Sequence, residues 1–160
     1  MVSSDAVNDP DARISRDHSG PSPVGPFLSA VDGRFQLPLA GRVVSQVCFD
    51  FAVTLRFENV TIRIEQPFVL ESQDGSRQVV EVGREGASVC RALDVLHLQV
   101  SEGWASEDGR LEVNYTNGLR LTVPDYYDYE PWQLNGPGGL LIVSTPNGKL
   151  AIWSDTPAES

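Results

Sequence analysis

From Gly41 onward, apolar and polar residues alternate with a period of two. In FAVTLRFENVTIRIEQP, Val53, Leu55 and Phe57 alternate with Thr54, Arg56 and Glu58. After a turn at Glu58-Asn59, Val60, Ile62 and Ile64 alternate with Thr61, Arg63 and Glu65. This predicts a β-hairpin with one face buried and the other wet. GRVVSQVCFD predicts a preceding strand, PFVLE leads to a turn at Asp74-Gly75, and RQVVEVG predicts one more short strand.

The pattern returns in DGRLEVNYTNGLRLTVP. Leu111, Val113 and Tyr115 alternate with Arg110, Glu112 and Asn114, and Leu119, Leu121 and Val123 lead back. Asn117-Gly118 reads as a two-residue hairpin turn, since both residue types tolerate positive φ. Laying one hairpin on the other sets Asp50 near Asp108, Phe57 on Tyr115 and Ile64 on Val123, each followed by a proline. That likeness implies an internal duplication. Between the copies, Val89, Ala92, Leu93 and Leu96 fall at helical spacing and predict a short amphipathic helix. A third hairpin runs from Leu140 to Trp153 through a turn at Pro146-Asn147-Gly148, and its unbroken LLIV predicts a central strand covered on both sides. Together these predict a mainly β fold of eight to ten strands. It is an antiparallel roll, sandwich or partly closed barrel with a duplicated hairpin unit and one short helix.

Residues 1–36 carry Pro10, Pro21, Pro23 and Pro26 without sustained periodicity and read as a disordered or loosely docked arm, with Phe27, Leu28 and Val31 available to dock it. Residues 37–154 form one β-rich domain and 155–160 a tail. Cys48 and Cys90 sit among apolar neighbours and are too few for a disulfide framework, so they read as reduced core thiols of a cytoplasmic protein. No apolar run reaches the length of a membrane span, and the first residues lack the apolar segment of a signal peptide.

Charge narrows the chemistry. The net charge is −10, with 12 basic residues dispersed among 22 acidic ones, so there is no basic stripe to neutralise nucleic-acid phosphates. Within the domain His97 is the only histidine, at the start of a strand and without a nucleophile motif to serve. Two distant cysteines and one histidine do not make a zinc set. Asn135 to Gly139, NGPGG, lacks the lysine and the following helix of a phosphate loop and reads as a turn. No catalytic residue, cofactor or metal is assigned.

What remains is PDYYDYEPW. Asp125, Asp128 and Glu130 lack the spacing and central glycine of a calcium loop. Rigid aromatic rings beside carboxylates suit recognition of an arginine- or lysine-rich partner. The candidate binding residues are Asp125, Tyr126, Tyr127, Asp128, Tyr129, Glu130 and Trp132. The competing structural reading has Trp132 and some tyrosine rings closing one end of the core.

DFAVTLRFENVTIRIEQPFVL and EDGRLEVNYTNGLRLTVPDYYDYEPWQLNGPGGLLIVSTPNGKLAIW, in that order, resemble a family of small uncharacterised proteins from high-GC Gram-positive bacteria. Its members share a Glu-Ala-Trp-x-Leu-x-Gly-Pro segment and a Gly-Gly-x-Leu-Ala-x-Trp ending. Glu130, Trp132, Leu134, Gly136, Pro137, Gly148, Leu150, Ala151 and Trp153 match these, while Pro131 and Asn147 depart. The resemblance covers about residues 41–153 and implies a domain of unknown function. In size and acidity the chain is also similar to immunity proteins of bacterial toxin systems. The expectation is a non-enzymatic cytoplasmic binding protein, immunity-like, that holds a basic protein partner through an acidic aromatic surface. Two alternatives are a small-molecule or carbohydrate-binding β-domain (or weak hydrolase) with a pocket near Trp132, and an oligomeric structural domain.

Overall fold

The computed structural model describes residues 30–83, 87–125 and 128–155. Among them thirteen strands form two antiparallel sheets around one apolar core. In chain order they are β1 (Ala30–Val31), β2 (Arg34–Gln36), β3 (Gln46–Phe49), β4 (Val53–Phe57), β5 (Val60–Ile64), β6 (Phe68–Glu71) and β7 (Arg77–Val80). A 3-10 helix, Ala87–Val95, follows. Then come β8 (Val100–Ser106), β9 (Leu111–Tyr115), β10 (Arg120–Val123), β11 (Trp132–Asn135), β12 (Leu141–Thr145) and β13 (Lys149–Trp153). One sheet has the order β1-β2-β8-β9-β10-β6-β7, the other β13-β12-β11-β5-β4-β3. The fold is a β-sandwich; neither sheet closes into a barrel.

Period two does what it should. Val53, Leu55, Phe57, Val60, Ile62 and Ile64 are fully buried, as are Leu111, Val113, Leu121 and Val123. At about 1.5–3 kcal/mol for each large side chain removed from water, this shared stripe is what holds the sheets together.

Several expectations are corrected. Strands number thirteen because residues 30–36, assigned to the arm, pair as β1 and β2, with β2 on β8, and because Trp132–Asn135, not expected as a strand, pairs as β11 with β5 and β12. The second hairpin turns through three residues: Tyr115 N–H donates to Leu119 O at 2.9 Å, and of Asn117 and Gly118 only the glycine has positive φ, +88°. The Asn117 side chain instead accepts the Leu119 N–H at 3.0 Å. In the 3-10 helix Ala92 and Val95 are buried while Leu93 is exposed, because the tighter winding moves the apolar stripe off the α-helical spacing. Cys48 is half-buried and Cys90 exposed, both free, so neither is a core thiol. Phe27, Leu28 and residues 156–160 lie outside the described residues.

The two sheets correspond residue by residue. The pairs Cys48–Thr54, Leu55–Ile62, Ile62–Leu134 and Leu134–Ile142 in one match Trp104–Glu112, Val113–Leu121, Leu121–Leu70 and Leu70–Gln78 in the other. Thus β3-β4-β5 corresponds to β8-β9-β10, and β6-β7 to β11-β12. Each half places its last hairpin in the other half's sheet.

Local details repeat too. Ala52 N–H donates to Asp50 Oδ1, and Arg110 N–H to Asp108 Oδ1. Gly75 and Gly139 turn the matching hairpins with positive φ, beneath the bonds Ser72 N–H to Ser76 O and Gly136 N–H to Leu140 O.

A pseudo-twofold relation follows from the backbone. Val43 and Gln99 form an antiparallel bridge. Val44 N–H donates to Leu98 O and Val100 N–H to Arg42 O; His97 N–H donates to Val44 O and Gly41 N–H to Val100 O. Exchanging 41, 42 and 44 with 97, 98 and 100 turns each bond into its mate.

Candidate functional site

Each half crosses from one sheet to the other once. The first crossing, β5 to β6, uses residues 65–67; the second, β10 to β11, uses residues 124–131. Both end in a proline before a buried ring, Pro67-Phe68 and Pro131-Trp132. The second crossing is therefore five residues longer than the same connection requires. The surplus falls within PDYYDYEP, where Asp128, Tyr129 and Glu130 are exposed and Asp125 is half-buried. Tyr126 and Tyr127 lie outside the described residues.

Trp132 is withdrawn from the candidate surface. It is 1% exposed, and its indole N–H donates to Gly109 O at 2.7 Å. Ser144 Oγ donates to the same oxygen at 2.9 Å. Gly109 has φ +94°, and a Cβ there would meet Ser144 Oγ at 2.7 Å, so only glycine fits beneath the anchor. The ring closes one end of the core, and its polar atom is satisfied internally.

The insertion is held at both ends. Gln66, 2% exposed, donates from Nε2 to Pro124 O at 2.6 Å, and Glu65 N–H donates to Pro131 O at 2.8 Å. The first crossing thereby clamps the second at Pro124 and Pro131, with Asp128, Tyr129 and Glu130 exposed between them.

Beside it lies an acidic row that the sequence did not single out. Arg63 donates from Nη1 to Asp50 Oδ2 at 3.1 Å and from Nε to Glu65 Oε1 at 3.0 Å. Arg63, Glu65, Glu130, Trp132 and Gln133 line a shallow depression of about 50 Å³. Two carboxylates, those of Asp50 and Glu65, thus hold one guanidinium, and Glu130 shares the depression with it. The hydrogen bond from Arg63, with the Ala52 N–H behind it, holds the Asp50 carboxyl below its ordinary pKa. The same bonds to Asp50 and Glu65 raise that of Arg63. A signal was present in the sequence: Arg63 and Glu65 both stand on the wet face of the first hairpin.

Elsewhere the outer face of the first sheet carries Arg34 stacked 4.3 Å over Trp104. Asn114 there donates to Glu112 Oε1 at 3.0 Å and accepts from Arg120 Nε at 3.0 Å. These contacts are internally matched. Exposed His97 has φ +68° and occupies the turn before Leu98. Among the described residues no group of three or more His, Cys, Asp and Glu could hold a metal ion, and no helix is long and apolar enough to cross a membrane.

Fold and surface define an acidic, pseudo-twofold β-sandwich protein whose second sheet crossing carries an exposed acid–aromatic insertion. Residues 35–154 match a family of unknown function, DUF6188, and the chain belongs to that family. No curated protein and no solved structure matches it.

Proposed function

We propose that this protein is a non-enzymatic binding protein that holds a basic protein partner. Its surface is built from the insertion residues Asp125, Asp128, Tyr129 and Glu130 together with Glu65 and Asp50. Tyr126 and Tyr127 join it from the sequence. The observation that supports the reading is the five-residue surplus in the second crossing: the first crossing makes the same connection in three residues. Residues that folding does not need, projecting acid and aromatic groups from clamped ends, suit recognition of guanidinium and ammonium groups. The net charge of −10 adds long-range attraction for such a partner. A cytoplasmic, immunity-like role, with a toxin as the basic partner, is the most specific form of this reading.

The depression at Trp132, about 50 Å³, falls well below the roughly 300 Å³ at which small-molecule pockets begin, so it lends no support to a ligand pocket there.

The test is retention from native cytosol on immobilised protein, wild type against the triple variant Asp128→Asn/Tyr129→Ala/Glu130→Gln. Loss of a salt-sensitive basic protein from the variant, with its fold intact by circular dichroism, supports the reading. Identical retention on both refutes it.

A further inference from the structure

The pseudo-twofold relation makes the sheet margins comparable. β8 is covered on its outer side by β2, and β12 by β13. Their counterparts are β3 and β7. β7 packs beside the 3-10 helix, whereas among the described residues no strand pairs with the outer side of β3. We propose that this edge is where an extended segment of the basic partner docks, adding to the sheet as an antiparallel strand. The inference rests on the reading above and names how that partner is held.

The edge has the chemistry for it. Gln46-Val47-Cys48-Phe49 contains no charge and no proline, the usual guards of an exposed edge. Phe49 at its end is 43% exposed and Phe51 beyond it 88%, offering apolar contact where an added strand would end.

The covered counterpart shows what fits. On β8, Arg34, Phe35 and Gln36 lie opposite Ser106, Ala105 and Trp104. In the strand register that sets Cys48 against Trp104, the positions on the open edge are Cys48, Phe49 and then Asp50, one residue past the end of β3; the turn that Asp50 begins matches the one at Asp108, two residues beyond Ser106. A strand docked as β2 is would set an arginine opposite Asp50, where β8 offers only a serine. Through Arg63, Asp50 connects to Glu65 and to the depression shared with Glu130. The uncharged edge thus ends at a carboxylate that Arg63 links toward the insertion. A second copy of this chain, itself at −10, would bring like charge to that carboxylate.

The probe is the end-blocked peptide GRFQLPLA, the chain's own residues 33–40, labelled for fluorescence anisotropy against full-length protein. Alternate amides of a strand face opposite edges, so two N-methylated peptides, at Phe35 and at Gln36, separate ladder pairing from side-chain attraction. The expected result is binding weakened at least tenfold by one methylation and little changed by the other. The Arg34→Glu peptide should also bind at least tenfold more weakly, and amide exchange should slow at residues 46–50.

Equal binding of both methylated peptides, no binding at all, or exchange slowed only at residues 103–106 overturns the edge inference. So does a concentration-dependent dimer that the peptide dissolves, which would give the edge to a second copy. Binding insensitive to both methylations but lost in the Asp128→Asn/Tyr129→Ala/Glu130→Gln variant overturns the edge while sparing the basic-partner reading.

Discussion

The indole of Trp132 and the carbonyl of Gly109 form a buried hydrogen bond of 2.7 Å, and Ser144 supports it from the other side. The corresponding residues of the other half are Phe68, Phe51 and Val80, so this polar anchor belongs to one half alone. Trp132→Phe copies the counterpart, removes one hydrogen bond and leaves ring volume unfilled. It should cost about 1–3 kcal/mol, read from the denaturant midpoint, with partner retention unchanged. Loss of retention in a folded Trp132→Phe protein would return this residue to the binding surface.

Tyr115 gives the opposite expectation. It is 3% exposed, its hydroxyl has no hydrogen-bond partner among the described residues, and its counterpart is Phe57. Tyr115→Phe should leave stability unchanged or raise it by up to about 1 kcal/mol. Burial raises its pKa above the ordinary 10.0. A folded-state pKa above the unfolded one contributes stability that is present below pH 10 and lost as pH rises beyond it. Wild type should therefore lose more stability than Tyr115→Phe between pH 7 and pH 11, as urea midpoints will show.

Asp50 titrates with the opposite sign. Its lowered folded pKa contributes stability present above 3.8 and lost as pH falls through the lowered value. Arg63→Gln removes the larger cause and keeps the Ala52 N–H. The Asp50 carboxyl should then titrate closer to 3.8 by carboxyl-carbon NMR. An unchanged titration would mean that Arg63 does not organise the acidic row.

Local patterning made both hairpins legible, because burial of one face enforces period two on residues such as Val53, Leu55 and Phe57. Their alignment needed a shift of one residue between Phe57/Tyr115 and Ile64/Val123, and the third loop residue in the second turn explains it. β2 was illegible: Arg34-Phe35-Gln36 is too short to show a period and is held by β8, far along the chain. Nothing local encodes which sheet receives β6 or β11. The site was half legible. PDYYDYEP stood out by composition, but its surplus length shows only against Glu65-Gln66-Pro67, once Phe68 and Trp132 are seen as counterparts. Trp132 looked like recognition chemistry because an aromatic residue carries the same letters in a core and on a surface.

An insertion that serves binding and that the fold does not need can be removed without unfolding the protein. Deleting residues 125–129 leaves Pro124-Glu130-Pro131, a three-residue crossing like the first, with the carbonyl partners of Gln66 and Glu65 retained. The measurement is thermal unfolding of this shortened protein alongside its retention of basic proteins from native cytosol. The expected result is cooperative unfolding within roughly 5 °C of wild type, since a change of about 1 kcal/mol moves Tm by that order, and loss of the salt-sensitive partner. A shortened protein that fails to fold, or that folds and retains the same partner, contradicts it.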